Sequence, residues 1–469
     1  MVAPIIQLNG RTLGGRLVRG SARAAVSAVR IEWGRESLFD RPRPGVATVS
    51  IVNHGLDPDP PRKGEPLLIS HPEGGVLFRG RVVEAPTSAA RTVRFANGLR
   101  EEVTVTKVTA HDAIAAFAQF IPTGPSTGPQ SGYTPGWNYE GYGGWRIGTT
   151  VARIEQVRDA GAGRFVDSWL IPGSTVQDSP AVWAYCVPLQ PSDTSALDML
   201  HNLYSSRRPL STFTYDSATD RVSAFHQADA STSVLTLQSG PGGALALVPA
   251  GDVPSLPAGR IRLEDTNLRA PADDVSEVRI EWMQPKTVMQ NNGANVNWME
   301  GASALPVPNA NAGSTYTCPH RQYVHEIESG QNEAYGRYRS WWLNLAAERF
   351  ASMNGLRALP PLILDPEDPA LEGSIHRWRT YGHVTSVAYL AGSMFNGEGA
   401  PAVVQFIGGV LTYDEKGRWA HRLTPAPTAG GAPAGLTLDQ MFPPSSTDTL
   451  DGWDESLTIN DLAAANRRA

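Results

Sequence analysis

Val26-Ser27-Ala28-Val29-Arg30-Ile31-Glu32-Trp33 is the stretch on which the reading of this chain turns. From Val29 onward, apolar residues alternate with arginine and glutamate. That is the period-two pattern of a strand with one buried and one wet face. The octet returns as Val275-Ser276-Glu277-Val278-Arg279-Ile280-Glu281-Trp282, 249 positions on, with seven of eight residues identical. Alternation alone would explain Val, Ile and Trp at the inner positions. It does not explain why Ser, Arg and Glu also match. The repeat is therefore read as an internal duplication, which predicts equivalent strands in two similar β domains. A weaker echo follows each copy, Gly80 and Val82 in FRGRVVEA and Gly382 and Val384 in TYGHVTSVA. The second interval is the longer one, and its extra residues include a helical stretch at 333–354.

Around the first octet the pattern stays β. Strands are expected at 46–52, 67–70, 76–84 and 103–110, separated by the Pro-rich turn Arg41–Gly45 and the loop Asp57–Gly64. Short strands with such turns suggest a small barrel or sandwich over 1–121. Residues 122–147 are dense in Gly and Pro and read as a linker or long loop. It carries Tyr133, Trp137, Tyr139, Tyr142 and Trp145. An α+β unit follows over 148–265. Its helix has an N-cap at Ser192-Asp193 and a Leu197/Leu200/Leu203 stripe, and Phe213/Tyr215 with Val222/Phe225 read as a hairpin. The second β-barrel is placed at 266–425, with helix 333–354 inserted and Tyr338, Trp341 and Leu345 on its apolar face, with Trp342 at the margin of that face. Residues 426–469 read as an extended arm. The expected fold class is β-rich α+β, two related β-barrels flanking a small α+β middle.

Composition agrees with that class. The chain has 469 residues, 41% of them hydrophobic, enough for real cores. Gly 46 and Pro 37 favour turns over long helices. A net charge of −6 argues against a protein that coats nucleic acid or docks on anionic membranes. No apolar run is long enough to span a membrane, and the N-terminus lacks the basic and apolar regions of a Sec signal. Cys186 and Cys318 are too few for a disulfide framework and are expected as two reduced, packed thiols.

No catalytic, cofactor or metal residue is predicted. Gly124-Pro125-Ser126-Thr127-Gly128 has the letters of a nucleophile elbow but Pro-rich flanks where a strand and helix are required. Cys318, His320 and His325 could supply three metal ligands, but a structural zinc needs four. Asp365, Glu367, Asp368 and Glu372 cluster without the order of a calcium loop.

Trp33-Gly34-Arg35, followed by Ser37, Asp40, Pro42, Pro44 and a strand, resembles the opening of minor tail proteins from long-tailed phages of Actinobacteria. The loop-rich middle, helix 333–354 with Pro360-Pro361 after it, and GRWAHRLTP are similar to later parts of that family. The resemblance covers roughly 20–425. It implies a tail-hub protein, similar to the baseplate hub of contractile tails, in which a homotrimer of two-barrel subunits forms a pseudo-six-fold ring continuing the tail tube. The implied partners are the distal tail protein or tube above and other minor tail proteins below. The tape measure protein and DNA would pass through the lumen, with no membrane insertion. The implied location is the virion tail tip, after synthesis in the host cytoplasm. A duplicated β domain is what a trimer needs to meet a six-fold partner. Two other functions stay open. One is a receptor-binding protein stacking host glycans on Tyr133–Trp145; the other is a tail-associated peptidoglycan hydrolase.

Overall fold

The structure is a computed structural model. It describes residues 3–13, 25–35, 40–54, 59–72, 75–94, 100–122, 140–141, 144–145, 148–170, 185–186, 194–226, 233–239, 245–249, 261–264, 274–290, 293–308, 310, 313–319, 322–323, 332–354, 360–364, 386–389 and 403–427.

The first region is all β up to its last few residues. It contains β1 (Ile5–Leu8), β2 (Arg11–Leu13), β3 (Ala25–Gly34), β4 (Val46–His54), β5 (Pro66–Ser70), β6 (Val76–Glu84), β7 (Arg91–Arg94) and β8 (Arg100–His111). The strands pair in the order β2-β1-β5-β6-β8-β4-β3, with β7 on β8. Asn9 and Gly10, both at positive φ, make the two-residue turn that lets β1 and β2 pair. Alternation does what the octet predicts in β3. Val29, Ile31 and Trp33 are buried, while Arg30 and Glu32 are exposed. Val29 and Ile31 share a core with Ile6, Val49, Ile69, Phe78 and Val108.

The middle region puts helices on a small sheet. It begins with α1 (Ala113–Gln119) and includes the short strands β9 (Glu140–Gly141), β10 (Gly144–Trp145) and β11 (Gly148–Thr149). Then come α2 (Thr150–Asp159), β12 (Ser168–Leu170), β13 (Tyr185–Cys186), α3 (Ala196–Arg207), β14 (Ser211–Asp216) and β15 (Arg221–His226). Sheet β12-β15-β14 meets the three helices in a core that holds Phe117, Ile154, Leu200, Phe213 and Val222. The N-cap of α3 is Ser195, later than the expected Ser192-Asp193. Its hydroxyl accepts from the Asp198 N–H at 3.2 Å and donates to the Asp198 carboxylate at 2.7 Å. This reciprocal bond selects Ser195 over its polar neighbours.

The rest of the chain builds two structures at once. Its elements are β16 (Ser233–Ser239), β17 (Leu245–Pro249), β18 (Ile261–Leu263), β19 (Val275–Gln290), β20 (Gly293–Pro306), β21 (Ser314–Thr317), β22 (Gln322–Tyr323), α4 (Asn332–Met353), β23 (Leu362–Leu364), β24 (Ser386–Tyr389), β25 (Val403–Tyr413) and β26 (Trp419–Pro427). Seven of them pair in a cycle, β25-β24-β16-β17-β18-β23-β26 and back to β25. The strands β19–β22 join β11 and β13 of the middle region in a separate six-stranded sheet, β11-β13-β22-β19-β20 with β21 on β19. Helix α4 packs on that second sheet. Trp342, Ala346 and Phe350 meet Val275, Val278 and Ile280. Of the residues expected on the apolar face of α4, Trp342 is fully buried, Leu345 is buried and Trp341 is partly buried.

The β-rich α+β class is what the structure shows. Two like barrels, each carrying one octet, are not. The first octet is β3, in a fifteen-stranded sheet, and the second opens β19, in the six-stranded one. Segment 266–425 therefore feeds both the cycle and the separate sheet. Alternation specifies a half-buried strand but not its neighbours, so one sequence serves two sheets.

Candidate functional site

The strand β25 is the joint of the molecule. Residues 403–405 pair with β24, and residues 408–413 pair with β3. One strand thus leaves the cycle and joins the first sheet. Backbones approach closely where it crosses. Gly34 has φ +85°, and a Cβ there would strike the Ile407 carbonyl and the Gly408 Cα. The Arg35 N–H donates to the Ile407 carbonyl at 2.9 Å. Beyond the crossing, the β25–β26 hairpin lends Leu411 and Trp419 to the core of the first region. Trp419 meets His71 with ring centroids 5.7 Å apart and Tyr413 at 5.1 Å.

Trp33 sits directly on this joint. Its indole N–H donates to Nε2 of the fully buried His421 at 3.1 Å. Accepting at Nε2 leaves the ring proton of a neutral imidazole on Nδ1. Opposite Trp33 in the ladder stands Gly409, whose missing side chain makes room for the ring. Arg422 ties β26 to the end of β18 with a bidentate pair to Glu264, at 2.9 and 2.7 Å.

A charged cluster lies where the residues after β3 meet α3. Arg41 pairs with Asp198, in the first turn of α3. The Arg35 guanidinium is buried, and burial draws it down to about 9 against the opposing pull of Asp40. His201 is pulled down to about 4, chiefly by burial, with Arg35 adding to the effect and Asp198 opposing it. Its Nδ1 lies 3.0 Å from the Thr212 hydroxyl. The cluster locks the middle region onto the first one.

The second octet keeps much of the local geometry of the first. Trp282 stands opposite Gly301, as Trp33 stands opposite Gly409, and Gly301 leaves room for its ring. An aromatic over a cross-strand glycine covers backbone that would otherwise be bare. Both strands also bulge at the same serine. The ladder of β3 with β4 skips Ser27, and that of β19 with β21 skips Ser276. Each hydroxyl donates to a carbonyl beside the bulge, that of Ser50 at 3.3 Å and that of Gly313, just before β21, at 3.0 Å. The difference is in the chain path. The next strand in sequence, β4, lies on the bulge side of β3, whereas β20 lies on the glycine side of β19.

The other residues singled out by sequence fall apart from this joint. Cys318 keeps its thiol, buried in the core under α4. Cys186 lies in β13, which pairs with β22. Residues 124–128, His320, His325, 365–372 and 428–469 lie outside the described residues, as does most of Tyr133–Trp145. Among the described residues, no group of three or more His, Cys, Asp or Glu could hold a metal ion, and no helix is long and apolar enough to cross a membrane. Sequence reasoning missed His421, Gly408 and Gly409. Nothing local marks them, because their role depends on contact with Trp33 and Gly34, far away in sequence.

No family model and no curated protein matches the chain. Solved structures do. The 43 kDa tail protein of prophage MuSo2 from Shewanella oneidensis is similar at 12% identity and TM-score 0.42, covering 90% of this chain and 98% of that one. A tail protein from Neisseria meningitidis MC58 is similar at 11% identity and TM-score 0.44, over 90% and 96%. The c3393 protein of E. coli is similar at 10% identity and TM-score 0.40, over 91% and 77%. It is described as a type VI secretion component with structural similarity to the T4 bacteriophage tail proteins gp27 and gp5.

Proposed function

We propose that this chain is a structural tail-hub protein of a long-tailed phage. In this reading it forms a homotrimer at the distal end of the tail, where it continues the tube and adapts it to the tip. The actinobacterial host is part of the proposal and rests on the likeness around Trp33-Gly34-Arg35.

The observation that carries the reading is the joint at β25. One chain brings two β bodies, the cyclic set of seven strands and the first sheet, and fuses them edge to edge. Such fusion holds the bodies in a fixed relation and covers edges that would otherwise invite wrong pairing. Three chains then present six bodies around one axis, which suits a six-fold tube. An acidic balance would let DNA pass without being trapped. The role is one of geometry and includes no reaction. Neighbours would be the tube or distal tail protein above and minor tail proteins below.

Sedimentation equilibrium of the purified full chain tests this. Three chains per particle is the expected mass. A particle that stays monomeric at high concentration contradicts the proposal.

A further inference from the structure

Between α3 and β14 a leucine occupies backbone that suits glycine. Pro209 holds the residue before it, Arg208, in extended backbone at φ −148° and ψ 130°, which ends the helix. The Ser211 N–H then donates to the Arg208 carbonyl at 3.2 Å and closes a four-residue turn. Proline stands second in that turn, and Leu210 stands third at φ +59°. Proline followed by a positive φ is the signature of a type II turn, whose third position favours glycine or asparagine. Among the described residues, the other non-glycine residues at positive φ are Asn9 and Asp220, both of types that adopt it readily. A leucine Cβ there crowds its own backbone. A type I turn would accept the same proline and the same closing bond without that crowding.

Two contacts select the strained form. Leu210 is only 3% exposed and packs in the core under α4 with Val278, Trp342 and Phe350. The Pro209 carbonyl accepts from the Arg349 guanidinium at 2.6 Å. Types I and II differ by a flip of the peptide between the second and third residues, through about 150° in ψ and about 170° in φ. In this turn that is the Pro209–Leu210 peptide. Flipping it turns the Pro209 carbonyl away from Arg349 and redirects the Leu210 side chain. Both contacts thus belong to one form of the turn.

We infer that the turn 208–211 is a two-state latch. In its type II form it holds α4 and the core beneath it against the end of α3. A flip of the Pro209–Leu210 peptide to type I lets them part. Local strain kept in place by surrounding contacts is the mark of such bistable segments. The latch is a property of the single chain and does not depend on the trimeric reading.

Hydrogen–deuterium exchange of the full chain, read by mass spectrometry on peptides of α4, tests it. Leu210→Ala and Leu210→Gly both withdraw the side chain from the core, but only alanine keeps the strain of a positive φ. At an ordinary position glycine loosens a structure more than alanine does. The latch reverses that order, so α4 should exchange about tenfold faster in L210A than in L210G. Arg349→Met keeps apolar bulk and gives up the hold on the Pro209 carbonyl. It should speed exchange in α4 and in residues 208–216 together, while β3 and β4 stay as protected as in the wild type. Circular dichroism checks that each variant keeps its fold. Equal protection in the alanine and glycine variants, or a greater loss in the glycine one, overturns the inference. So does an Arg349→Met chain whose α4 exchanges like the wild type. Either result leaves the hub reading standing, since sedimentation tests that separately.

Discussion

A single methyl group separates the joint from failure at Gly34. The residue adopts φ +85°, and a Cβ there would strike the Ile407 carbonyl and Gly408 Cα. Gly64 has a similar φ of +89° but nothing within 4 Å of its missing Cβ. The pair separates backbone strain from collision. Gly64→Ala should cost about 1 kcal/mol from φ alone. Gly34→Ala should cost about 2–4 kcal/mol, because β3 and β25 must also move apart. Denaturant midpoints of both variants check the difference. His201 supplies a pH dependence. Its folded value is depressed to about 4 from 6.5, so its contribution is complete above 6.5 and is lost as pH falls toward 4. His201→Gln should flatten thermal stability over that window, while the wild type should lose about 1–3 kcal/mol on acidification. The residue scale is also where the sequence spoke most clearly. Inner and outer positions of β3 were legible because side chains of a strand alternate. Gly408 and His421 were not, since their meaning is set by a contact that no local pattern encodes.

Elements were legible in type and less so in placement. The periodicity gives a helix at 333–354 where α4 spans Asn332–Met353, and the hairpin β14–β15 falls where its polar turn puts it. The cap of α3 moved to Ser195 because the reciprocal bond with Asp198 outweighs a merely suitable residue type. Ser195→Ala should therefore cost about 1 kcal/mol, read by urea unfolding. Helix α4 does more than its amphipathic stripe suggests. The Trp342 indole donates to the Ser205 carbonyl at 3.3 Å, and Arg349 donates to the Pro209 carbonyl at 2.6 Å. The helix thereby fastens the second sheet to the end of α3. Trp342→Ala should cost about 3–5 kcal/mol and expose α4 to protease before the first region is cut. Which sheet received the second octet was hidden from sequence. The pairing of β19 with β21 and β22 depends on strands that are short and polar.

At the scale of the whole molecule, the central claim is that one chain supplies two β bodies to a three-chain ring. The repeat pointed to doubling, but its two copies lie in different sheets. The cyclic set of strands and the first sheet meet through β25, while the second octet lies in the sheet under α4. The joint at β25 and the repetition of the octet are thus separate features of the chain. Electron microscopy of purified particles tests the claim most directly. The account predicts end-on views with three-fold symmetry, six β bodies around an open lumen, and α4 away from that lumen. Single chains, or a two-fold dimer without a lumen, would contradict it.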